Sequence, residues 1–392
     1  NTAKAQQVIP DNTLPNNSVV NLENNITNIT GGTQRGGNLF HSFERFGVPT
    51  GGEVNFNNTL DINNIINRVT GGNISNIDGL IRANGAANLF LINPNGIVFG
   101  RNARLDIGGS FIGSTADALR FGEDNFFSAT DPESSSELLS INPNALFFNQ
   151  LNTASIKNRS FVDTDRTNAA GTRAFGLQVP DGKSLLLVGG DINIDFGELY
   201  AFGGRVELGG LATTGTVGLN SDGDNFSLSF PEGVERSNVT LSNQARVNVR
   251  AGDGGSIAVN AQNLEMTGGS ALLAGIDTGL GDDESRAGNI DINVTGAILL
   301  NDSGIQNNVR SRANGQGGDV NINTNTLQLE NGAQVLANTF GEGNGGNLTV
   351  TAQDIQLIGS GSRLSAQANS ESTGDAGDLT INTNMLALED GA

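Results

Sequence analysis

Two aliphatic side chains flanking one variable position recur along the second half of the chain, each time after a glycine and a small or polar residue. The copies are Gly255-Ser256-Ile257-Ala258-Val259, Gly288-Asn289-Ile290-Asp291-Ile292, Gly318-Asp319-Val320-Asn321-Ile322, Gly346-Asn347-Leu348-Thr349-Val350 and Gly377-Asp378-Leu379-Thr380-Ile381, with glycines 33, 30, 28 and 31 residues apart. A second alternation follows nine or ten residues after each glycine, at Leu264-Glu265-Met266, Ile298-Leu299-Leu300, Leu327-Gln328-Leu329, Ile355-Gln356-Leu357 and Leu386-Ala387-Leu388. A third aliphatic position, Leu272, Ile305, Val335 or Leu364, comes seventeen or eighteen residues after the glycine. Alternation with period two marks strands, and no segment has the i, i+3, i+4 spacing of an amphipathic helix. A period near 30 residues is too long for one strand and too short for a domain, so each copy is a unit that buries its apolar face only by stacking on its neighbours.

Three short strands per unit, each with one inward face and a turn at each end, close into one coil of a parallel β-helix. Successive coils then pair at about 4.8 Å. Length varies mostly between the third strand and the next glycine, at 277–287, 310–317, 339–345 and 368–376. These polar, Gly-rich stretches are expected to project into solvent on one side of the rod. A leucine-rich repeat is the competing solenoid, but its leucine spacing and helical segment are absent. With about 25 residues per coil, 392 residues would make roughly 15 coils and a rod about 70 Å long.

Composition fits this picture. The chain has 55 glycines, 36% hydrophobic residues and only 16% charged ones. Gly and Asn suit tight corners because they adopt left-handed backbone angles cheaply. Lys and Arg number 21 against 41 Asp and Glu, a formal net charge of −20 that repels nucleic acids and anionic membrane surfaces. No apolar run reaches the length of a membrane span, since the best candidate, 89–99, is broken by Asn93-Pro94-Asn95. Nucleic-acid binding and membrane insertion are therefore not expected, and a monomer is. There is no cysteine, so no disulfide would obstruct threading of the unfolded chain through a pore. The chain opens on Asn1-Thr2-Ala3, as expected where an export signal has been removed.

All of the 19 phenylalanines except Phe340 precede Pro231. The early clusters, Phe40 to Phe46, Phe121 to Phe127 and Phe147-Phe148, are expected to pack outside the regular coils. Residues 1–35, with short strands around 19–22 and 26–29, are expected to form a cap over the first coil's open edge. At the other end Leu386 to Ala392 repeats the register of Leu327 to Ala333 and breaks off within a coil, so this chain is expected to be the front of a much longer protein.

One motif stands out in the first part. Leu89 to Gly100 reads as two strands joined by Asn93-Pro94-Asn95-Gly96, with Pro94 presetting the first turn angle and Asn95 and Gly96 suited to positive φ. Asn93-Pro94-Asn95-Gly96-Ile97 resembles the signature of the two-partner-secretion domain found at the start of filamentous-haemagglutinin-like exoproteins. The cyanobacterial branch of that family is also resembled by Pro10-Asp11-Asn12-Thr13, Gly37 to Phe43, Arg68-Val69-Thr70-Gly71-Gly72-Asn73, Ile77-Asp78-Gly79, Asn102 to Phe111, Leu185 to Gly190 and Gly203 to Leu208. The resemblance covers roughly residues 5 to 235. An earlier Asn-Pro-Asn-Leu motif of the family has no intact copy, and its counterpart, Asn73-Ile74-Ser75-Asn76, lacks the proline. Asn142-Pro143-Asn144-Ala145 lacks the glycine and reads as a structural corner.

The resemblance implies an all-β, right-handed, single-stranded parallel β-helix with an N-terminal β cap and extra-helical β elements. It also implies export through the periplasm to the cell surface or medium. The partner would be an outer-membrane transporter β-barrel with periplasmic recognition domains, and Asn73 and Asn93 to Ile97 would be the recognition or turn residues. Three segments result: 1–35 as cap, 36–235 as secretion domain, and 236–392 as the first repeats of an adhesin-like rod.

Two alternatives remain open. Parallel β-helices also carry carbohydrate-active sites, which need converging carboxylates. The candidates are Asp163 and Asp165 near Arg166, Asp191 with Asp195, and Asp282-Asp283-Glu284, each read first as a solvated corner, the usual status of surface charge runs. The other alternative is an adhesive module that binds glycans or cell surfaces. His41, the only histidine, lies between Phe40 and Phe43 and reads as a partly buried ring outside the coils. One histidine without cysteine cannot build the common transition-metal or nucleophilic sites. No catalytic residue, metal or cofactor is expected.

Overall fold

The computed structural model describes residues 7–133, 140–150, 153–223 and 225–392, and none of these is helical. Each repeat is one coil of three strands. Ser256–Ala261, Leu264–Thr267 and Ala271–Ala274 form one coil, and their counterparts in the next are Ile290–Val294, Ala297–Asn301 and Gly304–Asn307. The pairing between coils is parallel and in register, with Ile257 beside Ile290, Leu264 beside Ile298 and Leu272 beside Ile305. The first face is a thirteen-stranded sheet running from the N-terminal strands to Leu379–Asn382, and the second a ten-stranded sheet from Ser75–Ile77 to Met385–Glu389. The third face is divided into a five-stranded sheet in the early coils and a seven-stranded sheet in the later ones.

The inward alternation is as expected. Ile257, Val259, Ile290, Ile292, Leu327 and Leu329 are all buried in one continuous core with the aliphatics of the other faces. Their partners Ala297, Asp291, Asn321 and Thr349 point outward and are at least partly exposed.

The repeat glycines are required for a reason other than backbone angle. A Cβ on Gly318 would lie 2.0 Å from the carbonyl oxygen of Gly288, one on Gly346 would lie 1.9 Å from that of Gly318, and one on Gly377 would lie 2.1 Å from that of Gly346. The glycines form a column in which each coil rests on the peptide of the one before. Only Gly255, the first, also has positive φ.

The rod is shorter than the residue count suggests. In the first sheet only Ile9–Pro10 and Thr33–Arg35 are antiparallel, which leaves eleven parallel strands, one per coil, and a length of about 50 Å. The difference is chain spent outside the coils. Ala118–Phe121, Asn125–Ser128, Ala145–Phe148, Gly215–Asp222 and Asn225–Ser229 make an antiparallel five-stranded sheet. That sheet covers the outer side of the first face, where Phe40, Ile66, Phe90, Ile112 and Leu186 pack against Leu119, Phe121, Phe127, Leu146, Phe148 and Phe226. Asn142-Pro143-Asn144 leads into it, with Asn142 Oδ1 accepting a bond from Asn64 Nδ2 at 2.9 Å.

Phenylalanine placement was anticipated only in part. Phe40, Phe121, Phe127 and Phe148 lie outside the coils, but Phe43, Phe46, Phe56, Phe99 and Phe111 fill the interior of the early coils. In the early coils these rings stand where the later coils use aliphatics. The variable corner also differs from expectation, because it is not simply solvated. Ile276, Val309 and Ala313 are buried there against Leu280 and Ala287, and bridges join Arg286 to Gln316 and Gln316 to Asn344. It stacks as a further layer beside the three faces.

At the N-terminal end Ser18–Glu23 and Ile26–Gly31 form an antiparallel hairpin, and the second of these strands pairs in parallel with Glu53–Phe56. The hairpin lies over the first coil, and the two short antiparallel strands at 9–10 and 33–35 complete the cover.

Candidate functional site

The Asn93 to Ile97 segment is a corner between two faces and not a hairpin. Asn88–Ile92 belongs to the first sheet and Ile97–Phe99 to the second. The Gly96 amide donates to the Asn93 carbonyl at 3.0 Å, closing the turn, and Pro94 is buried at its first central position. Gly96 alone takes positive φ, at 116°, so Asn95 does not use the left-handed angle expected of it. A Cβ on Gly96 would also meet the Ser155 carbonyl at 3.2 Å.

Asn93 is fully buried and is the brace of this corner. Its Nδ2 donates to the Asn73 carbonyl and to Ser75 Oγ, both at 2.9 Å. Its Oδ1 accepts from the Asn95 amide at 3.0 Å and from Asn95 Nδ2 at 3.2 Å. Asn95 Nδ2 also donates to the Gly71 carbonyl at 2.8 Å, and the Ser75 amide to the Gly96 carbonyl at 3.0 Å. The structure thus joins Asn73 and Asn93 to Gly96 into two stacked corners of successive coils, with Ile97 inside the core. Of these residues Asn73 and Asn95 face solvent, together with Ile74.

A second cluster lies one residue away along the chain. Arg68 is buried, with Nε on Ser42 Oγ at 2.8 Å, Nη1 on the Ser128 carbonyl at 2.7 Å and Nη2 on Thr13 Oγ1 at 2.8 Å. Its guanidinium carbon sits 4.2 Å above the Phe127 ring. Asp11 accepts from the Thr13 hydroxyl at 2.6 Å, the Ser42 hydroxyl at 2.7 Å and the Thr70 hydroxyl at 2.6 Å. Burial raises the Asp11 carboxyl, but these hydroxyls and the Thr13 amide together hold it below the usual carboxylate range. Burial brings the Arg68 guanidinium down to about 10, against the opposing pull of Asp11 and Glu133.

This knot fastens the cap, the first two coils and the extra-helical sheet to one another. Pro10 to Thr13 and Arg68 to Gly71 both belong to the segments that resemble the family, but nothing in the sequence alone gives them a joint role. The available signal was a lone arginine and aspartate in otherwise apolar or amide-rich stretches.

The other candidates do not assemble. Asp163 pairs with Arg173, while Arg166 reaches Asp106 at 3.3 Å, so Asp163, Asp165 and Arg166 are not one site. Asp195 pairs with Arg159 at 3.2 Å, and Asp191 accepts from the Asn238 amide at 3.0 Å. Asp282 accepts from the amides of Glu284 and Ser285 within its own turn, both at 3.0 Å, and Asp283 from Asn314 Nδ2 at 2.7 Å. Among the described residues no three His, Cys, Asp or Glu side chains gather as a metal group.

His41 differs from its expected place. It points into the first coil, not outside it, and is fully buried, because the inward register is shared by Leu39, His41 and Phe43 while Phe40 faces out. Its ring lies beside Phe43 and Phe56, and Nδ1 is 2.9 Å from Ser18 Oγ of the cap hairpin. Burial lowers its pKa to about 3, so the ring is neutral.

Comparison with known proteins gives a family and several relatives. The family model described as "TPS secretion domain" matches residues 6–259. The match runs past Glu235 into the first glycine-marked copy. A heme/hemopexin-binding protein of Haemophilus influenzae is 39% identical over 85 residues, which are 21% of this chain and only 9% of that protein's length. Among solved structures, the HMW1 secretion domain from Haemophilus influenzae aligns over 93% of this chain and 97% of its own, with 18% identity and a TM-score of 0.46. The filamentous hemagglutinin secretion domain aligns over 98% and 100%, with 12% identity and a TM-score of 0.39.

Proposed function

The chain belongs to the TPS secretion domain family, and from that premise we propose that its cap and first coils form the surface read by a periplasmic domain of the partner transporter. TPS secretion domains belong to exoproteins that pass through the periplasm to the cell surface or medium, and they are recognised by an outer-membrane transporter partner. The finer reading is that this partner is a β-barrel with periplasmic recognition domains that add a strand to an exposed edge of the domain.

One observation carries that reading. Among the described residues Ser18–Glu23 is the end strand of its sheet and pairs on one side only, and it presents Val19 at 57% and Leu22 at 49% exposure. An unpaired edge with apolar side chains is a template for another strand and is normally blunted by charge or proline. The stacked corners at Asn73 and at Asn93 to Ile97 serve chiefly to fix the early coils, and leave Asn73 and Asn95, with the apolar Ile74 between the two corners, open to a partner. In this reading residues 1–35 act as cap, 36–235 as the secretion domain proper, and 236–392 as rod. We read the domain as a secretion module and not a glycan-cleaving one, a reading supported by the way the candidate carboxylates at 163–165, 191–195 and 282–284 are held in separate ion pairs and turn caps.

The test is export from cells expressing the transporter. Deleting residues 1–235 should leave the remainder in the periplasm, and V19K with L22K should lower export while the purified domain keeps its unfolding midpoint. Export of the deleted chain would overturn the secretion role. Undiminished export of the double variant would remove the edge strand from it.

A further inference from the structure

A cavity of about 270 Å³ opens where the third face meets the variable corner, well away from the cap. Four successive coils contribute to it: Arg250 from the first, Thr278 from the second, Gln306, Asn308 and Arg310 from the third, and Phe340 from the fourth. Phe340 is the one phenylalanine beyond Pro231, and it stands 38% exposed on the cavity wall. An aromatic ring that the rod's own core does not use is left facing solvent beside two guanidiniums.

The charges there are not balanced from within. Arg250 is only 8% exposed and borders the cavity, and among the described residues its guanidinium makes no hydrogen bond. The nearby carboxylate, Asp277, is already committed: Oδ2 accepts from Asn168 Nδ2 at 2.8 Å and Thr172 Oγ1 at 2.7 Å, and Oδ1 accepts from the Thr278 amide at 2.9 Å. Its ion pair is with Arg310, at 3.6 Å. Burial first, then the like charge of Arg310, brings Arg250 down to about 10. A carboxylate bound between the two guanidiniums would add charge-assisted bonds to a cation that is largely removed from water.

We propose that this cavity binds a single sugar unit bearing a carboxylate. The carboxylate would bridge Arg250 and Arg310, the ring's apolar face would lie on Phe340, and Gln306, Asn308 and Thr278 would meet its hydroxyls. Electrostatics favours this site for an acid, since it concentrates positive charge on a chain whose formal net charge is −20. Amide and hydroxyl groups beside an aromatic wall match a polyhydroxylated ring better than a bare inorganic anion. The inference is independent of secretion, because none of these residues belongs to the cap or the stacked corners.

Calorimetric titration of the whole chain with galacturonate and with N-acetylneuraminate tests it, with glucose, acetate and sulfate as comparison probes. At least one acidic sugar should bind saturably and more tightly than glucose, acetate or sulfate. Arg310→Gln should weaken it by about tenfold or more, as expected for the loss of a charge-assisted pair. Phe340→Ser, at a half-exposed position that leaves the core intact, should weaken the sugar but not acetate. Both variants should keep the parent's circular dichroism and Phe340→Ser its melting profile, while Arg310→Gln, which also gives up the Asp277 pair, is titrated well below its own melting temperature. Binding of acetate or sulfate as tightly as the acidic sugars would reduce the cavity to an anion site and overturn the proposal. So would equal binding of glucose, absence of binding by both acidic sugars, or folded variants that bind as the parent does.

Discussion

Replacing Asn93 by alanine tests the stacked-corner account most sharply at a single residue. The substitution removes two donated and two accepted hydrogen bonds, all between 2.9 and 3.2 Å, from a fully buried side chain. Water can replace the partner at the exposed Asn95 side chain, but Ser75 Oγ is buried and the Asn95 amide loses its Asn93 Oδ1 acceptor. An unsatisfied buried group costs about 1–3 kcal/mol and each ordinary bond about 0.5–1.5 kcal/mol net, so a loss of about 2–4 kcal/mol is expected. Asn95→Ala, on the exposed side of the same turn, should lose less than about 1 kcal/mol. Urea unfolding measures both, and hydrogen exchange of the Ser75 amide, which bonds the Gly96 carbonyl, should quicken in Asn93→Ala before global unfolding. An Asn93→Ala domain within about 0.5 kcal/mol of the parent would refute the brace. If stability fell as expected while export did not, the corner would serve folding outside the cell and not the transporter.

Other substitutions probe the remaining devices. Arg68→Leu should cost about 3–5 kcal/mol, because it strips a buried charge from Ser42, Ser128 and Thr13 and leaves Asp11 without its cation; a double-mutant cycle with Asp11→Asn by urea unfolding should show coupling of at least about 1 kcal/mol. His41 has a folded pKa near 3, below its unfolded value of 6.5, so the unfolded chain binds the proton first and stability falls as pH drops through that window. Between pH 7 and pH 5 the loss should be about 2 kcal/mol in the parent and absent from His41→Gln relative to its own pH 7 value, as read by urea midpoints at each pH. Gly318→Ala should destabilise by more than about 2 kcal/mol, since the new Cβ would strike the Gly288 carbonyl, and a thermal melt matching the parent would contradict the glycine column.

Most of the rod was legible because its information is local and repeated. Ile290, Ile292, Leu327 and Leu329 announce their inward direction by period-two alternation, and the turn residues between them announce the corners. The coil count was not legible, because residues 118–121, 125–128, 145–148, 215–222 and 225–229 also read like strands, and nothing local says that they pair antiparallel outside the rod. His41 misled for a similar reason: facing direction in Asn38–Arg45 depends on register against Asn64–Val69, where Phe40 meets Ile66 and His41 meets Asn67. The Asp11 and Arg68 knot was hidden by distance along the chain, since its members come together only after the cap folds over two coils. The Arg250, Arg310 and Phe340 cavity was hidden likewise, each residue lying in a different coil.

The account rests on successive repeats lying in register as adjacent coils, and paired cysteines measure that directly in a chain that has none of its own. Asn321 and Thr349 are partners on neighbouring first-face strands, both turned outward, whereas Thr351 is offset by two residues. Cα atoms of parallel partners fall within disulfide reach of roughly 4.4–6.8 Å, and offset ones do not. N321C with T349C should oxidise rapidly and nearly completely under mild conditions, while N321C with T351C should remain reduced. Equal oxidation of both pairs, or preference for the offset pair, would contradict the stacked coil.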